Sequence, residues 1–208
     1  MKKLYLRSAV ALACAVGLAA CGGDDDGTYQ LVGTVYGVNT AGLVLQNNGA
    51  DDLVVEPNTS TFLFPKLVAQ NGGFNITVKS VPSNAQKCEV LNGKGTANAY
   101  NGTGGQIAVV CTLIPHTLSG TITGNSGGDT VLVNGIDRIT VPAGSGSFSF
   151  TRKDPADKTG VANLGTVGEG QAYGVLVLTP PPQRSCSVAN GSGIMLKSDV
   201  TNIAVTCI

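Results

Sequence analysis

The chain has 208 residues, enough for one large domain or for two domains of about 90 residues each. Its 29 glycines, its lack of tryptophan and a charged fraction of only 12% favour a β-rich protein with many turns over a helical one. The 13 basic and 13 acidic residues balance and no basic cluster is present, which excludes a nucleic-acid-binding stripe and a polybasic lipid-binding patch.

The first 20 residues predict a secretory signal peptide. Lys2, Lys3 and Arg7 precede an apolar run over residues 9–20. A helix of about 12 residues rises about 18 Å, which is too short for a hydrocarbon core of about 30 Å, so the run is not interpreted as a membrane span. Cleavage would remove those three basic residues and leave 10 basic and 13 acidic ones, a net charge of −3.

The apolar run ends in Leu18-Ala19-Ala20-Cys21, which resembles the lipobox of bacterial lipoproteins. The resemblance implies that Cys21 becomes the first residue after cleavage and carries diacylglycerol on its sulfur together with a further acyl chain such as palmitate. Several acyl chains give permanent anchoring, because each buried CH₂ contributes about 0.8 kcal/mol. The alternative is an ordinary signal peptide that a cysteine happens to follow.

Residues 21–28 are predicted to form the lipidated cysteine and a polar tether that spans about 20 Å when extended. Three consecutive aspartates in the tether are interpreted as a solvated spacer, with a calcium site as the alternative. In enterobacterial lipoproteins, Asp directly after the lipidated cysteine favours retention in the inner membrane. Gly22 occupies that position here, so the resemblance implies anchoring in the outer membrane, on its periplasmic face or at the cell surface.

The rest of the chain contains an internal repeat, because five sequence blocks recur in the same order. Repeat 1 covers residues 29–113 and repeat 2 covers residues 116–208, with a short connector around Pro115. Five ordered matches indicate two copies of one domain. The paired blocks are 31–35 with 118–122, 62–64 with 148–150, 74–78 with 173–177, 88–95 with 186–193, and 107–111 with 203–207.

Each repeat is predicted to contain about seven short strands, because β-branched and aromatic residues alternate within runs that Gly, Asn and Pro separate. This pattern, without a helical stretch, predicts an all-β fold of two tandem antiparallel β-sandwich domains. The Phe-x-Phe pairs are expected to fill the space between the sheets, and the extra segment 152–159 of repeat 2 is expected to be a surface loop. In repeat 1 the predicted strands are 30–38, 42–47, 52–56, 60–65, 73–81, 87–91 and 105–112.

The order of these blocks resembles that of the prealbumin-like and immunoglobulin-like modules of bacterial surface proteins. The resemblance covers both repeats and rests on a Gly-Thr-Val or Gly-Thr-Ile strand, the Phe-x-Phe pair and a strand such as Tyr-x-Val-x-Val. The whole chain resembles the repeat-bearing lipoproteins of Gram-negative bacteria, a group without an assigned function. Some surface modules form an isopeptide bond from Lys and Asn beside an acidic residue, but no such set is recognised in this sequence.

Each of the six cysteines can be assigned a role. Cys14 lies in the signal peptide and Cys21 takes the lipid, which leaves one pair in each repeat at the same relative position. An exported protein meets an oxidising compartment, so each pair is expected to form a disulfide that ties the last two strands at the open end of a hairpin around an Asn-Gly turn. Closing a loop of about 24 residues is worth roughly 3 kcal/mol. The expected disulfides are Cys88–Cys111 and Cys186–Cys207.

A metal or redox site is the alternative for these cysteines. The chain has no Cys-x-x-Cys motif, and His116, at the predicted junction of the repeats, is its only histidine. No metal and no cofactor is therefore expected.

No catalytic constellation is apparent either, since no Gly-x-Ser-x-Gly motif accompanies the single histidine. Asp51-Asp52 and the pair Asp154 and Asp157 fall in predicted turns, where carboxylates cap backbone groups or face water. We expect no enzymatic activity and no catalytic residue. Two Gly-containing stretches, 92–95 and 145–147, are interpreted as hairpin turns and not as phosphate-binding loops.

These observations predict a membrane-anchored cell-envelope lipoprotein that acts as a structural or interaction module, of adhesion or spacer type. Its partner would be a protein or a polysaccharide, bound through surface loops or an edge strand. A carbohydrate-binding module is an alternative, with Tyr29 and Tyr100 as the candidate exposed rings. An accessory subunit of an envelope complex is a further alternative.

Overall fold

The computed structural model describes residues 27–98, 106–150 and 165–208. Within these ranges the regular secondary structure is entirely β-strand, which confirms the all-β class. The predicted signal peptide, Cys21, most of the tether, Tyr100 and the segment 152–159 lie outside the described residues. No described residue belongs to a helix that is long and apolar enough to cross a membrane.

Repeat 1 is a sandwich of two four-stranded sheets. Its strands are β1 (Thr28–Tyr36), β2 (Leu43–Asn47), β3 (Asp51–Val55), β4 (Thr61–Ala69), β5 (Gly73–Ser80), β6 (Ala85–Leu91), β7 (Lys94–Thr96) and β8 (Ala108–Leu113). One sheet has the strand order β4-β1-β8-β6 and the other has the order β3-β2-β5-β7. All pairs are antiparallel except β1 with β8, which are parallel.

Repeat 2 has the same topology. Its strands are β9 (Pro115–Thr123), β10 (Thr130–Asn134), β11 (Asp137–Val141), β12 (Ser147–Ser149), β13 (Thr166–Gly168), β14 (Ala172–Thr179), β15 (Cys186–Ala189), β16 (Ser192–Ile194) and β17 (Val200–Cys207). The sheet orders are β12-β9-β17-β15, with β13 also pairing β9, and β11-β10-β14-β16. The parallel pair recurs between β9 and β17.

A glycine in each repeat allows the parallel pair to form. A Cβ at Gly33 would lie 2.4 Å from the carbonyl oxygen of Ile107, and a Cβ at Gly120 would lie 1.8 Å from that of Ile203. Where two backbones approach each other this closely, only glycine can be accommodated. The ring of Phe62 packs over the bare backbone of Gly33, its cross-strand partner. The Gly-Thr and Phe-x-Phe motifs of the sequence therefore belong to one packing arrangement.

Each repeat has its own hydrophobic core. Repeat 1 buries a set that includes Leu31, Leu45 and Phe64, and repeat 2 buries a set that includes Leu118 and Phe150. In repeat 1 both rings lie on the inner side of β4, and in repeat 2 Phe148 lies in β12 with Phe150 directly after it. The two rings of each pair meet edge to face, with centroids 5.9 Å apart in repeat 1 and 6.2 Å apart in repeat 2. The prediction that these rings fill the space between the sheets is confirmed.

One edge strand that is continuous in repeat 1 is divided into two pieces in repeat 2. Strand β4 runs along β1 for nine residues. In repeat 2 the same two stretches of pairing are supplied by β12, opposite Ser119 to Thr121, and by β13, opposite Pro115 to Thr117. The extra segment of repeat 2 is therefore inserted in the middle of an edge strand, between Phe150 and Gly165.

Two turn predictions were wrong. The Asn92-Gly93 turn does not connect a hairpin, because the chain leaves β6, crosses to the opposite sheet and pairs there as β7 with β5. Asn92 takes a left-handed conformation with φ of 54°, and its side chain donates a hydrogen bond to the Gln106 carbonyl at 2.9 Å. The stretch 145–147 also connects two different sheets, since β11 and β12 belong to opposite layers.

Candidate functional site: the joint between the repeats

The connector between the repeats is a single residue. Strand β8 ends at Leu113 and β9 begins at Pro115, so only Ile114 lies between them. The N–H of Ile114 donates to the carbonyl of Asn84 in repeat 1 at 2.9 Å. Its carbonyl accepts from the N–H of Glu169 in repeat 2, also at 2.9 Å. The backbone is thus held on both sides of the connection. We call Asn39, Asn84, Ile114, His116 and the turn Gly168–Gln171 the joint.

Two asparagines of repeat 1 hold the turn of repeat 2. Asn84 is buried, and its side-chain amide donates to the carbonyl of Glu169 at 3.1 Å and to Oδ1 of Asn39. The amide of Asn39 donates to the same Glu169 carbonyl at 3.4 Å. A buried amide without a hydrogen-bond partner destabilises the folded state, so these bonds favour one arrangement of the two repeats.

Glycines in the turn Gly168–Gln171 permit this close packing. Gly170 has φ of +84°, and a Cβ there would lie 2.6 Å from the side-chain nitrogen of Asn39. A Cβ at Gly168 would lie 2.8 Å from the side chain of Leu113. In repeat 1 the equivalent positions are Ala69 and Asn71, in a turn that is closed by the same type of hydrogen bond. The two glycines are therefore specific to the repeat that docks onto another.

His116 lies between two carboxylates at the joint. Its Nε2 is 3.6 Å from Oε2 of Glu169, and its Nδ1 is 3.5 Å from Oδ1 of Asp199. The side chains of His116 and Glu169 are largely buried, whereas that of Asp199 is 53% exposed. The N–H of Thr117 donates to Asp199 at 2.8 Å, and this hydrogen bond, helped by His116, holds the pKa of Asp199 below its usual value. The predicted place of His116 at the junction of the repeats agrees with this geometry.

The described residues contain no group of three or more His, Cys, Asp or Glu side chains arranged to hold a metal ion. Asp51 and Asp52 lie at the start of β3 and not in a turn, which corrects the sequence interpretation. Asp51 pairs with Lys66 at 3.2 Å, and Asp52 pairs with Lys79, whose hydrogen bond lowers the pKa of Asp52. These carboxylates serve surface ion pairs. The pair Asp154 and Asp157 lies outside the described residues.

Both expected disulfides are present. Cys88 and Cys111 are directly opposite each other in the β6–β8 ladder, and Cys186 and Cys207 are opposite in the β15–β17 ladder. In repeat 1 the ladder continues beyond the disulfide to the pair formed by residues 85 and 113, so this bond lies within the ladder and not at its open end. Each disulfide ties the last strand of its repeat to an edge strand of the same sheet.

The exposed aromatic ring of the described residues is not the one expected. Tyr29 is half-buried in β1, opposite Val68, and Tyr100 lies outside the described residues. Tyr36, at the end of β1, is 57% exposed. It was missed because alternation in a strand assigns a face to a residue but does not show which face is covered.

Equivalent sheet edges of the two repeats form shallow grooves. In repeat 2 a groove of about 420 Å³ lies between β11 and β12, lined by Arg138, Thr140, Pro142 and Phe148 among others. In repeat 1 the corresponding groove between β3 and β4 measures about 180 Å³. Such edges can accept an added strand from a partner.

No protein-family model matches the sequence, and no curated protein is significantly similar to it. Among solved structures, the TIE protein of Bacillus anthracis is 13% identical with a TM-score of 0.36, covering 86% of this chain and 34% of its own. The pilus adhesin SpaC of Lactobacillus rhamnosus GG is 8% identical with a TM-score of 0.35, covering 86% and 31%. The shaft pilin SpaA of the same organism is 8% identical with a TM-score of 0.28, covering 86% and 98%.

The chain spans about a third of the length of the first two of these proteins. All three TM-scores are below 0.5, so nothing about function follows from these similarities.

Proposed function

We propose that the protein is a membrane-anchored cell-envelope lipoprotein that acts as a structural or interaction module and not as an enzyme. The observation that carries this proposal is the joint, in which a one-residue connector, the buried Asn84 and the partly buried Asn39 fix one repeat on the other. A fixed joint between two domains, each with its own internal disulfide, suits a protein that must hold a binding surface at a set distance from its anchor.

The anchor in this proposal is the lipid on Cys21, and the location is the outer membrane. Support comes from the basic start, the short apolar run, the Leu-Ala-Ala-Cys sequence and Gly22 after it. The partner is a protein or a polysaccharide of the envelope or of a neighbouring surface. Sheet-edge grooves on both repeats offer places for it to bind.

The test compares two cysteine variants in the bacterium from which the gene is deleted. Deletion is expected to reduce adhesion, biofilm formation or envelope integrity, and the full chain is expected to restore it. Cys21→Ser is expected to release the protein from the membrane fraction and to fail to restore function. Cys14→Ser is the matched control, because this residue leaves with the signal peptide, and it is expected to restore function fully. Unchanged adhesion, biofilm and envelope integrity after deletion would contradict the proposal.

A further inference from the structure

Glu169 links a buried charge to the contact between the repeats. Its side chain is buried, with 7% of the residue exposed, and faces Nε2 of His116 at 3.6 Å. Its backbone makes the bonds that hold repeat 2 on repeat 1. The N–H donates to the carbonyl of Ile114, and the carbonyl accepts from the amides of Asn84 and Asn39. The docked position of the turn therefore depends on the charge state of one imidazole and one carboxylate. We call His116 and Glu169 the switch pair.

His116 is the one positive partner that the joint offers to its carboxylates. Among the described residues, no lysine or arginine pairs with Glu169 or Asp199. Asp199 faces the other ring nitrogen, Nδ1, at 3.5 Å, but it is half exposed, so water solvates part of its charge. Asn39 and Asn84, which contact the turn from repeat 1, carry no charge. A buried carboxylate needs a positive partner or a proton, so Glu169 depends on His116.

A proton between the two members of the switch pair satisfies both of them. Nε2 of His116 is buried and makes no hydrogen bond within the part of the chain that the structure describes. A neutral imidazole has a single N–H, so it can donate to only one of its two flanking carboxylates. Its second nitrogen then faces an oxygen that also can only accept. The doubly protonated ring donates to both carboxylates, and loss of that proton destabilises the buried pair and the turn that carries Glu169.

The equivalent turn of repeat 1 is closed by uncharged side chains. Tyr29 takes the place of His116, since each lies opposite the corresponding valine of the paired edge strand. Gln70 takes the place of Glu169, and its N–H donates to the carbonyl of Gly27 at 2.6 Å. The fold of this turn therefore does not require a histidine beside a carboxylate. The switch pair belongs to the repeat whose turn docks onto the other repeat.

We propose that the joint contains a pH-sensitive switch, in which the turn is docked while a proton lies between His116 and Glu169 and loosens when that proton is lost. Histidine is the side chain that changes charge between about pH 5 and pH 8. The contribution of the switch pair is complete below about pH 6.5, the value for an unfolded histidine, and is lost as the pH rises and the pair releases its proton. Acid surroundings hold the two repeats in one arrangement, and alkaline surroundings let them move relative to each other. The lipid and the partner of the proposed function take no part in this switch.

Hydrogen exchange of the Glu169 amide tests the proposal, because that N–H donates across the joint to Ile114. The amide of Gln70 is the matched control in the same molecule, since it closes the equivalent turn of repeat 1. The full chain is measured by NMR in detergent at about pH 5.5 and about pH 9, with each rate divided by the intrinsic rate at that pH. We expect the protection of Glu169 to fall by about tenfold or more between them, and that of Gln70 to stay within about twofold.

Two variants remove the proton site from opposite sides. Glu169→Gln keeps the backbone bonds of the turn without the charge, and His116→Gln keeps a donor and an acceptor but cannot take up a proton. In each variant the protection of residue 169 is expected to be the same at both pH values, while Gln70 shows that the protein is folded. His116 is the only histidine, so its ring signals are identified directly, and their change of charge should coincide with the fall in protection.

Equal protection of Glu169 at the two pH values in the native chain would overturn the proposal. An equal fall at Gln70 would do the same, because it indicates general loosening of the protein. A fall of the native size in either variant would assign the pH dependence to another group. A ring of His116 that changes charge without any change at Glu169 would show that the proton does not hold the turn.

Discussion

At the scale of single residues, Gly170 determines how closely the repeats pack. It has φ of +84°, and any side chain there would displace Asn39 and its hydrogen bonds to Asn84 and Glu169. Gly170→Ala is therefore expected to lower the free energy of unfolding by about 2 kcal/mol, of which backbone strain supplies about half.

The control for Gly170→Ala is Gly144→Ala. Gly144 has a similar φ of +76° but no atom within 4 Å of its Cβ position, so this variant carries the backbone strain alone. Urea unfolding of the full chain measures both variants. Equal losses of stability would show that packing at the joint contributes nothing.

The charge of Asp199 gives the joint a dependence on pH. The N–H of Thr117 and the nearby His116 lower the pKa of Asp199 in the folded state. Its stabilising contribution is therefore present above the unfolded pKa of about 3.9 and is lost as the pH falls through the lower folded value. Asp199→Asn keeps the acceptor oxygen for Thr117 but removes the charge.

We expect Asp199→Asn to be less stable than the native chain near pH 7, with a difference that shrinks to zero well below pH 4. Urea unfolding of both proteins at the two pH values checks this. A difference of the same size at both would mean that geometry, and not charge, gives Asp199 its effect.

At the scale of strands and disulfides, each repeat is stabilised by its own cross-strand bond. Replacing Cys88 and Cys111 together by Ala is expected to destabilise repeat 1 by about 3 kcal/mol. The two cysteines are 23 positions apart, and without the bond the unfolded chain between them gains conformational entropy. The equivalent change at Cys186 and Cys207, with a separation of 21, is expected to act on repeat 2 to a similar extent. Calorimetry should show that the first variant lowers the melting temperature of repeat 1 and that the second lowers the melting temperature of repeat 2. A loss shared equally by both repeats in either variant would contradict separate stabilisation.

Most strands could be predicted from the sequence because apolar alternation and turn residues are local signals. Strands β7 and β16 could not, because an Asn-Gly pair is compatible both with a hairpin and with a crossing between sheets. Only the distant partner strands β5 and β14 decide between the two. The early end predicted for β4, at residue 65, has a similar cause, since Pro65 suggests a stop but lies at a sheet edge, where proline is tolerated.

At the scale of the whole molecule, the sequence predicts two β-sandwich domains and their two disulfides, but it does not predict the joint. The turn that docks onto repeat 1 comes from residues 168–171, more than 50 positions after the connector. Its one signal was the Gly-Glu-Gly sequence where repeat 1 has Ala-Gln-Asn. That difference acquires a meaning only when the neighbour of the turn is known.

The central claim is that two repeats, each with its own internal disulfide, are tethered to a membrane by lipid on Cys21. The most direct measurement is the intact mass of the protein purified from membranes, before and after reduction. The account predicts the mass of residues 21–208 plus lipid, rising by about four hydrogens on reduction, two for each disulfide. A chain that begins elsewhere and carries no lipid would contradict the tether, and a mass unchanged by reduction would contradict the disulfides.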